Sequence, residues 1–328
     1  MAILKKAKAL ALLENIVPDG VSHTATAFVE SLKINSISEK TSKGRRVVIK
    51  RRNHERVPDL INFYFRLADI PIRFLSDVRD WRRWEAGCFK MLNGDRFRAI
   101  VRDARTVIFD KLPGQNLWDH MNQGTLTARM LTAAGHEFRR AHRFHRKEFG
   151  SAWSHGDASM PNVVYDKKTD RARLIDFEIR HVTSLPAVVR HADDLLVFLL
   201  DMVGRISTRR WLPFALKFLR AYDDQRVIAE LKPKLVLPNG LALIWWNVRT
   251  NFAKSAKIER RFRALRRALG TLELRQSTET DRRKTRRPSM NCHAIKAGIP
   301  TARSRIRVIK EMAKAASPGM RSKLPSTR

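Results

Sequence analysis

Three side chains that carry oxygen atoms lie close together in the middle of the sequence. Asp157 and Asn162 are five residues apart in HGDASMPN, and Asp176 follows fourteen residues later in IDFE. Magnesium prefers hard oxygen ligands and usually takes one or two protein carboxylates together with phosphates and water. Phosphoryl transfer also needs a carboxylate that orients or deprotonates the acceptor hydroxyl. The pattern therefore fits phosphoryl transfer, with Asp157 in that role and Asn162 and Asp176 as metal ligands.

The residues around these side chains predict a loop followed by a β-hairpin. Residues 154–162 are small or polar and include Pro161, as is typical of a loop. The segments NVVYD and ARLIDFE, joined by the turn KKTDR, predict two short strands. A tight hairpin of this kind would bring Asn162 and Asp176 together.

Strand and helix patterns precede the loop, and helix patterns follow it. RRVVIKRR is short, β-branched and flanked by charge, which predicts a strand that carries Lys50. Residues 58–92 have helical apolar spacing, and the second helix of this stretch carries Glu85. FRAIV and RTVIF predict a strand pair. Helices are predicted from Ala187 onward, and Gly270 is expected to end the last one.

Composition restricts the class of protein further. The chain has 328 residues, and 66 Lys and Arg against 32 Asp and Glu give a formal net charge of +34. A hydrophobic content of 43% argues against wholesale disorder, and the charge favours an anionic partner such as nucleic acid, anionic lipid or a phosphorylated substrate. Only Cys88 and Cys292 are present, which excludes a disulfide framework.

The apolar runs of the chain are short. The first residues do not resemble a secretory signal, and the longest apolar runs fall short of the ~20 residues of a membrane span. We therefore expect a cytoplasmic location, with peripheral contact at the anionic inner membrane surface as a further option.

HGDASMPN followed by a hairpin and IDFE resembles the protein-kinase-like phosphotransferase superfamily. The resemblance is to its small-molecule branch, which includes aminoglycoside phosphotransferases, choline-type kinases and lipopolysaccharide core kinases. It covers about residues 25–205 and implies a bilobal α+β fold, with a small β-rich N-lobe and a larger helical C-lobe. Gly156 and Glu178 stand where regulated protein kinases have Arg and the Gly of DFG, which disfavours activation-loop control.

The same resemblance implies a nucleotide site for ATP and Mg²⁺. VVIK is similar to the strand of the ATP lysine, so Lys50 would hold the α- and β-phosphates and Glu85 would be its partner. Solvated surface charge is the alternative interpretation of both residues. In TVIFDKLPGQNL, backbone groups between Asp110 and Leu112 would contact adenine.

Three further residues are implied as structural support for the site. His155 would brace the loop that carries Asp157. In RHADDLLVFLL, either Asp193 or Asp194 would support this loop from the following helix.

The chain departs from the family pattern near Lys50. No GxGxxG precedes this residue, and Gly44 is the only glycine between Ser22 and Lys50. We expect the turn that covers the phosphates within residues 36–42. Glu85 lies 35 residues after Lys50, a longer interval than usual, which predicts an extra helix between them.

These patterns predict four segments. A lead is expected at 1–22, the N-lobe at 23–112, the C-lobe at 113–274, and a basic tail with little stable structure at 275–328.

The expected function is ATP- and Mg²⁺-dependent phosphoryl transfer to a hydroxyl of a non-protein, anionic acceptor, such as a lipopolysaccharide core sugar. Two alternatives stay open. One is a catalytically degenerate kinase-like protein that binds RNA or anionic membrane, and the other is an atypical serine/threonine protein kinase. Nucleic acid is the less favoured partner of the leading hypothesis.

Overall fold

The computed structural model describes residues 34–285 except 43, 55–56 and 95. A small strand-rich lobe is followed by a larger, mainly helical lobe, which confirms the predicted α+β class. The predicted lead at 1–22 and the tail beyond residue 285 lie outside the described residues.

The elements are labelled in chain order. The strands are β1 (Asn35–Ser42), β2 (Arg45–Arg52), β3 (Ile72–Phe74), β4 (Ala99–Val101), β5 (Thr106–Asp110), β6 (Gln115–Asn116), β7 (His145–Arg146), β8 (Ser151–Ala152), β9 (Val163–Asp166), β10 (Arg171–Leu174) and β11 (Ile179–His181). The helices are α1 (Val57–Leu67), α2 (Val78–Asn93), α3 (Leu117–Asn122), α4 (Ala128–Ala141), α5 (Ala187–Arg205), α6 (Thr208–Tyr222), α7 (Gln225–Lys234), α8 (Leu241–Arg249) and α9 (Ser255–Thr285).

A four-stranded antiparallel sheet in the order β1-β2-β5-β4 forms the N-terminal lobe. The β-branched run of β2 suits an inner strand, because such side chains pack well on a pleated surface. Lys50 on β2 is paired with Ile37 on β1 and Val107 on β5. The sheet therefore carries Lys50 at its centre.

The predicted phosphate-covering turn is wrong in its position. Residues 36–42 belong to β1 and pair with β2 in a continuous antiparallel register, in which Ser42 lies opposite Arg45. The chain turns after this strand, at Gly44. Gly44 has a φ of +72°, a left-handed conformation that glycine adopts without steric cost. The hairpin thus uses the lone glycine where the chain reverses.

The long interval between Lys50 and Glu85 contains α1 and β3. Strand β3 pairs with β11, and Tyr64 Oη on α1 donates to the Leu241 carbonyl at 2.8 Å. Phe65 is fully buried and packs edge-on against Trp245 of α8, with ring centroids 5.0 Å apart. The insertion formed by α1 and β3 therefore attaches the N-terminal lobe to α8 and β11 of the helical lobe.

The helical lobe depends on close backbone contacts at glycine. A Cβ at Gly135 on α4 would lie 2.4 Å from the Phe218 carbonyl oxygen on α6. A Cβ at Gly204 on α5 would lie 1.8 Å from the carbonyl oxygen of Thr250, just after α8. Both helix pairs approach so closely that a side chain does not fit between them.

The last described helix is longer than its sequence pattern predicts. It runs through Gly270 to Thr285, so Gly270 is not its end. One glycine inside a helix costs about 0.5–1 kcal/mol relative to alanine, which neighbouring helix-forming residues offset. The main compact unit ends at Leu274, and the helical residues 275–285 belong to a second unit.

Within the described part of the chain, every helix is too short or too polar to cross a lipid bilayer.

We predict that Gly204→Ala lowers the free energy of unfolding by about 1–3 kcal/mol, because the added methyl group overpacks the contact with Thr250. Urea denaturation measures this change. Gly270→Ala is the matched control, since its methyl group would meet its nearest neighbour at an ordinary 3.6 Å. The control should gain about 0.5–1 kcal/mol from helix propensity. Equal losses in both variants would contradict the close approach of α5 to Thr250.

Candidate active site

The loop between β8 and β9 carries Asp157 and ends in a short 3₁₀ turn, Met160–Asn162. His155 links this loop to the end of β10. Its Nδ1 accepts from the Asp157 N–H at 3.2 Å, and its Nε2 lies 3.0 Å from the Ile175 carbonyl oxygen. Because Nδ1 accepts, the proton of the ring is on Nε2, which donates to Ile175.

Two aspartates on one face of α5 hold the backbone of the loop. Asp194 accepts from the N–H groups of His155 and Gly156, both at 2.8 Å. Asp201, seven residues and about two turns later, accepts from the Met160 N–H at 2.8 Å. Of the two aspartates predicted to support the loop, Asp194 contacts it, and Asp193 lies 3.0 Å from His181 Nε2.

The support from Asp194 is fully buried and charged. Burial acts to raise the pKa of Asp194, but the neighbouring His181 and the hydrogen bond from His142 outweigh it, so the pKa is well below its usual value. His142 stacks on His191 with ring centroids 3.9 Å apart. Burial, together with the positive charge that His142 would carry, lowers the pKa of His191 to about 2. The loop is therefore anchored to a buried carboxylate that stays ionised at neutral pH.

The β9–β10 hairpin brings the predicted metal ligands together. Val163 is paired with Leu174, and the Ile175 N–H donates to the Asn162 carbonyl at 3.0 Å. Asp176 follows directly, with a φ of +65° in the left-handed region that aspartate tolerates better than most residues. The hairpin thus places Asn162 next to the residue that precedes Asp176.

Asn162 also contacts Asp157. Its Nδ2 donates to the Asp157 carbonyl at 2.8 Å and to Asp157 Oδ2 at 3.3 Å. The amide orientation that these contacts select makes Oδ1 of Asn162 the atom for a metal ion. Asp157 and Asn162 therefore contact each other directly, and Asp176 follows the residue that is hydrogen-bonded to the Asn162 backbone.

Lys50 lies in a buried cluster of carboxylates. Its Nζ is 2.5 Å from Asp176 Oδ1, 3.3 Å from Glu85 Oε1 and 3.8 Å from Glu178 Oε2. Lys50 is 3% exposed and Glu85 is 2% exposed, so neither is a solvated surface charge. Burial acts to lower the pKa of Lys50, but the three carboxylates outweigh it and raise the pKa above its usual value.

The same cluster perturbs the pKa values of its acids. Burial acts to raise the pKa of Asp176, but Lys50 outweighs it and the pKa is lowered. Burial raises the pKa of Glu85 against the attraction of Lys50. Burial, with repulsion from Asp176 and Glu85, raises the pKa of Glu178 to about 7. Asp176 is therefore the acid of this cluster whose ionised form is favoured most.

Glu85 and Glu178 connect this cluster to other elements. Glu85 accepts from the N–H of Phe177 at 3.2 Å, which joins α2 to the IDFE segment. Glu178 accepts from Asn35 Nδ2 at the start of β1. Glu178 was not among the predicted site residues, although its place in IDFE, two residues after Asp176, was a signal for it.

The predicted adenine contacts lie at the end of β5. The N–H of Asp110 donates to the Arg98 carbonyl and that of Lys111 to the Arg46 carbonyl, both at 2.9 Å. The backbone donors of these two residues are therefore engaged within the lobe. Leu112, the last residue of this prediction, is buried at the connection to the helical lobe.

Arg249 at the end of α8 contacts the candidate catalytic residue. Its Nη1 lies 2.5 Å from Asp157 Oδ1, and its guanidinium stacks on Trp245 at 4.2 Å from the ring centre. The sequence favours a C-lobe helix with one apolar face here, and a nucleic-acid stacking platform of Trp245, Trp246 and Arg249 is the less favoured interpretation. One arginine among 66 basic residues carries no signal of a contact with Asp157, so sequence analysis could not identify that contact.

The side chains present fit a magnesium ion. Asp176 offers an ionised carboxylate and Asn162 an amide oxygen, which are hard ligands of the kind that Mg²⁺ takes together with phosphate oxygens. Among the residues that the structure describes, no group of three or more His, Cys, Asp or Glu is arranged to hold a metal by itself.

We predict that His191 makes the protein less stable in mild acid. In the unfolded chain a histidine has a pKa of about 6.5, against about 2 in the fold, so the unfolded chain binds more protons between these values. Between about pH 7 and pH 5 this linkage removes about 2 kcal/mol of stability. In His191→Gln the amide can still donate to the Trp153 carbonyl, and urea denaturation across this range should show a shallower pH dependence. An identical dependence in both proteins would contradict the prediction.

No protein-family model matches the chain, and no curated protein matches it in sequence. Solved structures do resemble it. An ethanolamine kinase of Plasmodium vivax has a TM-score of 0.40 and 9% identity, covering 76% of this chain and 85% of that one. The aminoglycoside phosphotransferase APH(2'')-Ib bound to ADP has a TM-score of 0.34 and 12% identity, covering 74% and 99%. The phosphotransferase APH(2'')-IIa with streptomycin and ATP has a TM-score of 0.35 and 10% identity, covering 72% and 97%. The solved structures similar to this chain thus include an ethanolamine kinase and aminoglycoside phosphotransferases.

Proposed function

We propose that the chain is an ATP- and Mg²⁺-dependent phosphotransferase that acts on a hydroxyl of a non-protein acceptor. The observation that carries the proposal is one continuous set of contacts. Asp157 contacts Asn162, Asn162 is bonded to the residue before Asp176, and Asp176 contacts the buried Lys50. Phosphoryl transfer needs a carboxylate for the acceptor, metal ligands and a cation for the phosphates close together, and little else from the protein.

Each residue has a distinct part in the proposed reaction. Asp157 orients the acceptor hydroxyl and receives its proton as the new O–P bond forms. The bond between the γ-phosphorus and the β–γ bridging oxygen breaks, and ADP leaves with that oxygen. Asn162 and Asp176 would hold Mg²⁺, which neutralises phosphate charge when it is bound. Lys50, oriented by Glu85, steadies the α- and β-phosphates.

The proposed acceptor is anionic, and a sugar of the lipopolysaccharide core is one example. The net charge of +34 supports this class, because a strongly basic protein attracts anionic molecules and surfaces. A cytoplasmic location with peripheral contact at an anionic membrane surface would bring the enzyme to such an acceptor.

A second candidate function is binding of RNA or anionic membrane without turnover. The ion pair between Arg249 and Asp157 favours it, because the guanidinium occupies a carboxylate oxygen that an acceptor hydroxyl would need. This candidate predicts salt-sensitive binding to RNA or anionic vesicles and no stabilisation by Mg-ATP.

We predict that ATP turnover with Mg²⁺ is lost in Asp176→Ala and falls by about 10²–10⁴-fold in Asp157→Ala, since general base catalysis contributes about this much. ATP turnover is measured without an added acceptor and then with each member of a panel of sugars, lipids and a generic protein. Glu259→Ala, on the exposed side of α9, is the control that removes a carboxylate elsewhere and should keep full turnover. Equal turnover in the wild type and Asp176→Ala would refute the proposed function.

A further inference from the structure

Arg249 has no part in the mechanism proposed above, yet it is the residue that contacts Asp157 from the side of α8. Its Nη1 lies 2.5 Å from Asp157 Oδ1, and its side chain is only 11% exposed. The other oxygen of the carboxylate, Oδ2, faces Asn162 Nδ2 at 3.3 Å. Arg249 therefore stands beside Asp157, where the proposed reaction places the acceptor hydroxyl.

The position of Arg249 is determined by several independent contacts. Its guanidinium stacks on the ring of Trp245, and Trp245 packs against Phe65 of the α1 insertion. Its backbone carbonyl accepts from Arg205 Nη1 at 3.0 Å, and the next residue is in close contact with Gly204. A side chain held from both lobes is preorganised, which is what a binding residue requires.

The charges around Arg249 disfavour a cationic acceptor. Asp201 has its own partner in Arg205, whose Nη1 is 3.7 Å from Asp201 Oδ1. Burial raises the pKa of Asp201 to about 6, so this carboxyl carries less than a full negative charge in mild acid. A cationic group entering beside Asp157 would meet the guanidinium of Arg249. An anionic group would be attracted by it.

The guanidinium also has donors to spare. Arginine presents five N–H groups in a fixed fork that matches carboxylate and phosphate oxygens. In the described part of the chain, Nη1 lies within ion-pair distance of Asp157 Oδ1, but neither this oxygen nor the buried Nε has a hydrogen-bond partner. The fork is therefore positive and only partly satisfied.

We infer that Arg249 binds an anionic group of the acceptor, a phosphate or a carboxylate, adjacent to the hydroxyl that is phosphorylated. This inference rests on the proposed function, because it assigns the acceptor end of the same site. Arg249 would therefore hold the acceptor with its hydroxyl beside Asp157.

The test measures anion binding with the nucleotide site filled. The full chain is saturated with Mg²⁺ and the non-hydrolysable analogue AMP-PNP, so that added anions do not occupy the γ-phosphate position. Calorimetric titrations then use three probes of similar size: sn-glycerol 3-phosphate for phosphate, glycerate for carboxylate, and glycerol as the neutral control. The wild type should bind one or both anions and not glycerol, and the preferred anion identifies the acceptor group.

Arg249→Gln should raise the dissociation constant for the preferred anion by about tenfold or more, which is the effect of losing one charge-assisted contact. Its affinity for Mg-AMP-PNP should stay unchanged, which also shows that the variant folds. Arg249→Lys keeps the charge without the fork and should have intermediate affinity. Arg220→Gln, on the exposed side of α6, removes the same charge from the surface and should bind as the wild type does.

The inference is overturned if the wild type binds no anion, or if the wild type and Arg249→Gln bind the anion equally well. Equal losses in Arg249→Gln and Arg220→Gln would likewise assign the binding to overall charge. Failure of the wild type to bind Mg-AMP-PNP has a different meaning, because it refutes the proposed function together with the inference.

Discussion

Burial of Lys50 among three carboxylates is the interaction on which the rest of the site depends. Lys50 projects from the centre of the N-terminal sheet, Glu85 comes from α2, and Asp176 and Glu178 follow the β9–β10 hairpin. Removing one member of a buried ion cluster leaves uncompensated charge, which costs more than the loss of a surface pair. The cluster therefore keeps the strand, the helix and the hairpin in one arrangement, and holds Asp176 ionised at the edge of the site.

A second constraint acts on the loop that carries Asp157. Asp194 and Asp201 bind three backbone N–H groups of the loop from one face of α5, so the orientation of this helix determines where Asp157 lies. Gly204 on the same helix allows the backbone at Thr250 to approach, and the insertion packs on α8 through Phe65. The residues proposed to bind the nucleotide and the arginine beside Asp157 are thus tied to the same framework.

The sequence predicted the parts of the site that lie in short, dense motifs. Asp157, Asn162 and Asp176 were identifiable because oxygen ligands at these spacings around a hairpin have few other uses, and the structure brings them together. The turn of the β1–β2 hairpin was misplaced, because β1 is polar and almost fully exposed and so lacks the alternation that marks a strand. Arg249 was missed for a different reason: it reaches Asp157 through tertiary packing across 92 residues of chain, and no local pattern encodes that contact.

The most direct test of this account is the dependence of ATP affinity on magnesium. Calorimetry would compare ATP binding in excess Mg²⁺ and in EDTA, for the wild type and for Asp176→Asn, which keeps the shape of the side chain and an oxygen for Lys50. The account predicts that Mg²⁺ strengthens binding to the wild type by about tenfold or more, and that Asp176→Asn removes most of this gain. Equal affinity of the wild type with and without Mg²⁺, or a full magnesium effect in Asp176→Asn, would contradict it.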